Sequence, residues 1–193
     1  MRIAIDISQI VYEGTGVAAY VRNLITALVE KDSHNDYILF GASLRKRAVF
    51  GLFAASLTTH SKRVRLVTTP IPPTLLDIVW NRLHIIPAEW FVGPVDIFWS
   101  SDWTQPPLTH ARGITTIHDL SILRYPGQSH NKAELDYVHG RLLANIVAVQ
   151  TRRLRRASKE CQAFFCDSEA TKKDAHTLLG IANDRLRVIY PGM

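Results

Sequence analysis

The sequence predicts an α/β fold built on a largely parallel, seven-stranded sheet with helices on both faces. Three observations carry that expectation. Short β-branched or aromatic runs recur at 2–7, 36–40, 63–68, 95–100, 113–118, 162–167 and 185–190. Several of the intervals between them place apolar residues at helical spacing, and strands that alternate with helices are joined by crossovers in a parallel sheet. Polar and small residues gather where these runs end, as they do where an open sheet forms a ligand cleft.

The first run, RIAIDI, is followed by a helical pattern through Val17, Tyr20, Val21, Leu24, Ala27 and Leu28. Gly14-Thr15-Gly16 lies between them. Pro70 to Pro73 and Pro106-Pro107 read as loops within the domain. Beyond the first of them, Leu75, Leu76, Val79, Trp80, Leu83, Ile86, Trp90 and Phe91 form an apolar segment with two readings, a helix covering the sheet or a surface for a partner. Asn131 and Glu134 resemble a helix start, ahead of a stripe formed by Leu135, Val138, Leu142, Ile146 and Val149. Ser168 opens a second helix, and Gly180 follows it where a left-handed residue is commonly needed.

At 193 residues, 47% of them apolar and 21% charged, the chain has the size and composition of one globular domain. No apolar run approaches the ~20 residues that span a bilayer, and the amino terminus lacks a secretory pattern, so a soluble, cytoplasmic location is expected. Cys161 and Cys166 are the only cysteines. Their odd separation along a strand disfavours a disulfide between them. The net charge of +6 suits an anionic partner without choosing one. The eight histidines show no metal-ligand spacing, and no metal is expected.

The strand ends supply the candidate site: Ser8 after the first, Ser100, Ser101, Asp102 and Trp103 after the fourth, His118 and Asp119 after the fifth, Asp167, Ser168 and Glu169 after the sixth. Gly14, Thr15 and Gly16 precede a helix whose N-terminus can approach a phosphate or sugar oxygen. A simple turn is the alternative. With Ala19 the loop also fits G-x-G-x-x-A, which raises a dinucleotide-dependent oxidoreductase. Against it, six residues separate the strand from Gly14, and the second strand ends in Leu39-Phe40-Gly41 without a ribose-binding carboxylate. His118 could donate to a sugar hydroxyl or steer a proton, or be purely structural. Arg152, Arg153, Arg155 and Arg156 form a basic run that is either a solvated helix end or an anion-attracting surface. No recognised nucleic-acid motif accompanies it.

TTIHDLSILRYPG at 115–127, RRLRRASK, FFCDSEATKKDAHTLLGI and RVIYPG, together with the opening IAIDISQIVYEGTGVAAYVRNLITAL, resemble the N-terminal domain of the glycosyltransferase-4 family. The resemblance implies a Rossmann-like domain, half of a GT-B fold. It implies metal-independent transfer of a sugar, with retention, from a nucleotide-sugar co-substrate to a hydroxyl of a sugar or lipid-linked acceptor, without a further cofactor. By the same resemblance His118 lies near the transferred sugar, with Asp119 as its orienting neighbour. Gly14 and Gly16 lie near the donor phosphates or the acceptor, and Ser168 and Glu169 at the cleft edge. A second domain carrying a basic pair and E-x7-E glutamates is expected after the RVIYPG strand. The chain read to Met193 holds none of these, so a donor-binding domain or second chain, or self-association, is the expected partnership, with peripheral attachment to the inner membrane face compatible with the basic run. A non-catalytic binding module stands as the alternative.

Overall fold

The computed structural model describes residues 1–58, 62–124 and 137–191. Strand β1 (Arg2–Asp6) leads through a 3-10 turn at Ser8–Val11 into helix α1 (Gly16–Lys31), which returns the chain to β2 (Asp36–Ala42). Helix α2 (Arg47–Thr58), β3 (Val64–Thr69), the short α3 (Pro73–Leu76), a π-helical turn at Asp77–Arg82 and α4 (Glu89–Val92) follow. The second half comprises β4 (Ile97–Ser100), β5 (Arg112–Ile117), α5 (Ser121–Arg124), α6 (Tyr137–Glu160), β6 (Cys161–Cys166), α7 (Glu169–Leu179) and β7 (Leu186–Val188).

The strands form one sheet in the order β3-β2-β1-β4-β5-β6-β7, and every neighbouring pair is parallel. The chain enters at β1, builds outward to β3, then re-enters on the other side of β1 with β4 and builds outward again. The direction of strand order therefore reverses between β1 and β4, and a crevice opens outside their carboxyl ends.

β2 shows why its sequence is apolar without a polar alternation. Tyr37 and Leu39 pack with Ile5, Ile25, Phe50, Phe53 and Leu57. Ile38 and Phe40 pack with Ala4, Leu76, Trp80, Val92 and Phe98 on the opposite face. Successive side chains point to opposite faces, so a sheet covered twice needs apolar residues at both parities. Each such buried side chain contributes about 1.5–3 kcal/mol. A third core joins Ile117, Leu154, Phe164, Ala175 and Leu186 around β5 to β7. Helix α2 presses so closely on β2 that a Cβ on Gly41 would lie 2.6 Å from a Phe50 ring carbon.

Local signals hold at two helices. The Thr15 hydroxyl accepts from Ala18 N at 3.2 Å at the start of α1, and the Ser168 hydroxyl accepts from Thr171 N at 3.1 Å at the start of α7. Gly180 closes α7 in the left-handed region with φ of 66°. The Asn131–Glu134 start and the stripe side chains from Leu135 to Ile146 lie outside what is described; Val149 is buried. The apolar segment after Pro73 is divided between core and surface. Leu76, Trp80 and Val92 enter the core, while Leu75, Leu83, Ile85 and Trp90 are exposed. Cys161 and Cys166 are free and buried. A register shift at Gly113/Ile114 leaves Gln162 without a partner on β5, so simple alternation does not run through Cys161.

A candidate active site at the strand switch

The carboxyl ends of β1, β4, β5 and β6 carry Asp6, Ser100, Ile117 and Cys166. Because Ile117 pairs with Cys166, the next residues, His118 and Asp167, leave adjacent strands side by side. Their side chains meet, with His118 Nδ1 and Asp167 Oδ2 2.7 Å apart, within hydrogen-bond reach. The Tyr20 ring, from α1, stands edge-on to the imidazole with centroids 5.0 Å apart and planes at 85°. Thr171 Oγ1 donates to the His118 carbonyl at 3.2 Å, tying the backbone at the end of β5 to α7.

His118 lines a narrow crevice of about 30 Å³ that it shares with Asp6, Tyr20 and Thr116, and two roomier cavities. The larger, of about 690 Å³, is bounded by Gly16, Tyr20, Asn23, Asp167 and Tyr190 beside the N-terminal part of α1. The smaller, of about 190 Å³, is bounded by Asp102, Asp119, Gln150 and Arg153 with Leu123 and Leu154. Another opening of about 670 Å³ lies among Arg2, Asp36, Lys62, Arg65 and Trp90 at the amino ends of β1 to β3 and shares no residue with these two. The sheet's switch point, not the size of an opening, marks the candidate site, since the two large volumes are nearly equal.

The electrostatics of the small cavity are unusual for a half-open pocket. Asp102 Oδ1 is buried without a hydrogen-bond partner. Burial pushes the Asp102 carboxyl above its ordinary range, and the Arg153 charge offsets only part of that. Arg153 is 2% exposed. Its guanidinium donates to Thr115 Oγ1 and, at 3.0 Å, to the Thr116 carbonyl, while its Nε has no partner. Gln150 Nε2 donates to the Asp102 carbonyl at 2.8 Å and so anchors the loop after β4 to α6. Beneath the cleft, Asp6 is buried and its carboxyl is raised by desolvation, even though it accepts from Ser8 N at 2.9 Å. Among the described residues, no group of three or more His, Cys, Asp or Glu side chains could hold a metal ion, and no helix is long and apolar enough to cross a membrane.

The residues singled out in the sequence meet different fates. His118 and Asp102 face the same small cavity, and Gly16 lines the large one. Gly14 has φ of 82°, a turn conformation that a side chain would strain. Thr15 is occupied as the cap of α1. Asp119 does not orient the imidazole. Its Oδ1 accepts from Ser121 N at 2.9 Å and Ser121 Oγ at 2.6 Å, and Asp167 takes the orienting position instead. Ser100 is buried and its hydroxyl donates to Gln105 Oε1 at 2.8 Å, within a core network. The Ser168 hydroxyl is committed to its cap, and Glu169 is exposed on the first turn of α7 and lines neither cavity. The arginine run is not one surface. Successive helical residues turn by about 100°, which sends Arg153 inward. Arg152 pairs with the buried Asp77 at 3.2 Å, Arg156 reaches the Arg82 carbonyl at 3.5 Å, and Arg155 is exposed. Sequence reasoning placed Asp167 at a strand end without its partner, and assigned Tyr20 only to a helix stripe and Gln150 no role. Only the register of β5 against β6 brings His118 and Asp167 together.

The fold defines a Rossmann-like α/β protein with a cleft at the switch of its sheet. The family model described as Glycosyltransferase Family 4 matches residues 14–193, and the chain belongs to that family. Among solved structures, a short-chain dehydrogenase from Oenococcus oeni PSU-1 is similar at 15% identity and a TM-score of 0.36, over 91% of this chain and 64% of that one. The chain thus spans less than two thirds of the dehydrogenase's length. A comparison with curated proteins gave no match.

Proposed function

We propose that this chain forms the acceptor side of a retaining glycosyltransferase of GT-B architecture, which moves a sugar from a nucleotide-sugar donor to a hydroxyl acceptor. The observation that carries the reading is the placement of His118 on the wall between the two cavities at the strand switch. A donor and an acceptor must meet at one point, and a side chain shared by two adjoining volumes sits where they would.

In this reading the smaller cavity seats the acceptor group. At about 190 Å³ it falls below the roughly 300–1,000 Å³ usual for drug-sized ligands and suits a single ring. Asp102 offers it an acceptor oxygen, and Arg153 sits behind as a fixed positive charge. The larger cavity lies along the N-terminal part of α1, where the helix dipole favours the donor's phosphates. The remaining contacts to the departing diphosphate come from a donor-binding domain. Without them the chain should transfer sugar poorly, because losing even one preorganised stabilising group costs about 10²–10³ in rate.

The test is to incubate the chain with nucleoside-diphosphate sugars and candidate hydroxyl acceptors, alone and with a donor-binding domain added in trans. Transfer that depends on the added domain supports the reading. Steady transfer by the chain alone would refute the need for an added domain, and acceptor binding without transfer in any combination would favour a binding module.

A further inference from the structure

We propose that Asp167 is a positioning residue that holds His118 in its Nδ1–H tautomer, so that Nε2 meets the ligand as a hydrogen-bond acceptor for a hydroxyl group. The identity of that ligand rests on the reading of the cleft as a glycosyl-transfer site; the tautomer does not.

The geometry leaves the imidazole little freedom. An ionised carboxylate has no proton to give, so the 2.7 Å contact requires the hydrogen to sit on Nδ1. Tyr20 packs edge-on against the ring, and the His118 carbonyl is held by Thr171. Asp167 is poorly suited to a general structural role. Its Oδ1 is buried without a partner, so the carboxylate is not tying other elements of the cleft together through that oxygen. Its Oδ2 goes to the imidazole, an arrangement that elsewhere fixes which ring nitrogen faces a ligand.

The consequence is chemical. With Nδ1–H committed to Asp167, the ring in this tautomer has one lone pair left for the roomier cavities it lines, on Nε2. A lone pair accepts from a hydroxyl donor and makes no hydrogen bond with a phosphate oxygen, which is itself an acceptor. Asp102 Oδ1, unpartnered on the same small cavity, is a second acceptor. Two acceptor atoms on a volume of about 190 Å³ select a group that carries hydroxyls.

The experiment uses the ¹⁵N-labelled chain and long-range ¹H–¹⁵N spectra of its imidazoles near neutral pH, with His118→Gln to assign the signals. His118 should show a protonated Nδ1 and a bare Nε2. Asp167→Ala should lose that form, whereas Asp167→Asn, whose amide oxygen can still accept, should keep it. Addition of inorganic phosphate should leave the His118 signals in place. An Nε2–H or doubly protonated His118 in the unmodified chain, an unchanged tautomer in a folded Asp167→Ala variant, or protonation of Nε2 on adding phosphate would overturn the proposal. The unmodified chain decides the tautomer even if Asp167→Ala does not fold. None of these spectra requires sugar transfer, so a failed transfer assay and a failed tautomer assignment are separate results.

Discussion

Replacing Arg153 by Met should destabilise the protein by about 2–4 kcal/mol at neutral pH, while Arg155→Met, two residues along the same helix, should fall within about 0.5 kcal/mol of the parent. Arg153 donates to Thr115 Oγ1 and to the Thr116 carbonyl. Hydrogen bonds from a charged donor are worth about 1.5–3 kcal/mol each, a gross loss of about 3–6 kcal/mol. Removing a buried guanidinium returns part of that as relieved desolvation, and Met fills much of the vacated volume. What remains is the Asp102 carboxylate without the Arg153 charge that favours its ionised form. The pH dependence follows from its sign. Asp102 binds its proton more tightly when folded than its ordinary value of 3.8, because burial disfavours the charged form. Its contribution to stability is therefore present below about 3.8 and is lost as pH rises through the folded value. Without Arg153 the folded value rises further, so the deficit of the variant should grow between pH ~4 and pH ~7. Urea denaturation followed by tryptophan fluorescence across that range measures both quantities. Equal losses from the two arginine variants, or a deficit that shrinks as pH rises, would refute the assignment of Arg153 as the charge behind Asp102.

In a reconstituted transfer assay, His118→Ala should lower turnover by about 10² or more with an unchanged circular dichroism spectrum, and full activity would remove it from the site. Gly41→Ala should cost about 1–3 kcal/mol because its Cβ would meet the Phe50 ring at 2.6 Å; an unshifted denaturation midpoint would show that α2 yields freely. Burial pushes the Cys161 thiol up to about 12 and the Cys166 thiol to about 11, so neither should be alkylated at pH ~8 until the protein is unfolded. Fast labelling of the native chain would contradict that burial.

The sheet was legible because its signal is local. Each strand from β1 to β7 is a short run whose neighbours break the pattern, and crossover connections leave only a parallel arrangement. Ser168 and Gly180 were equally readable, since a cap is formed within three residues of the group it satisfies. The segment between β3 and β4 was not. Its apolar residues divide between α3, a π-helical turn and α4, and the turn places Trp80 in the core while leaving Leu83 outside. No fixed period describes such a stretch, so neither of its two readings could be chosen from spacing.

The candidate site divides along the same line. His118 was visible as a polar residue that ends an apolar strand, but its partner was sought at Asp119, the neighbour in the chain. Consecutive residues leaving a strand diverge, and Asp119 turns to start α5. The residue that can stay beside His118 is the one at the same height on the adjacent strand, and the parallel register of β5 and β6 makes that Asp167. Arg153 reverses the lesson, for it belongs to a run that spacing alone reads as charged surface, yet its helical phase carries it under β5. In both cases the decisive contact spans tens of residues and depends on sheet register or helix rotation. Residue type therefore announces where a parallel sheet can hold a site, and the pairing of its strands decides which groups act on one another there.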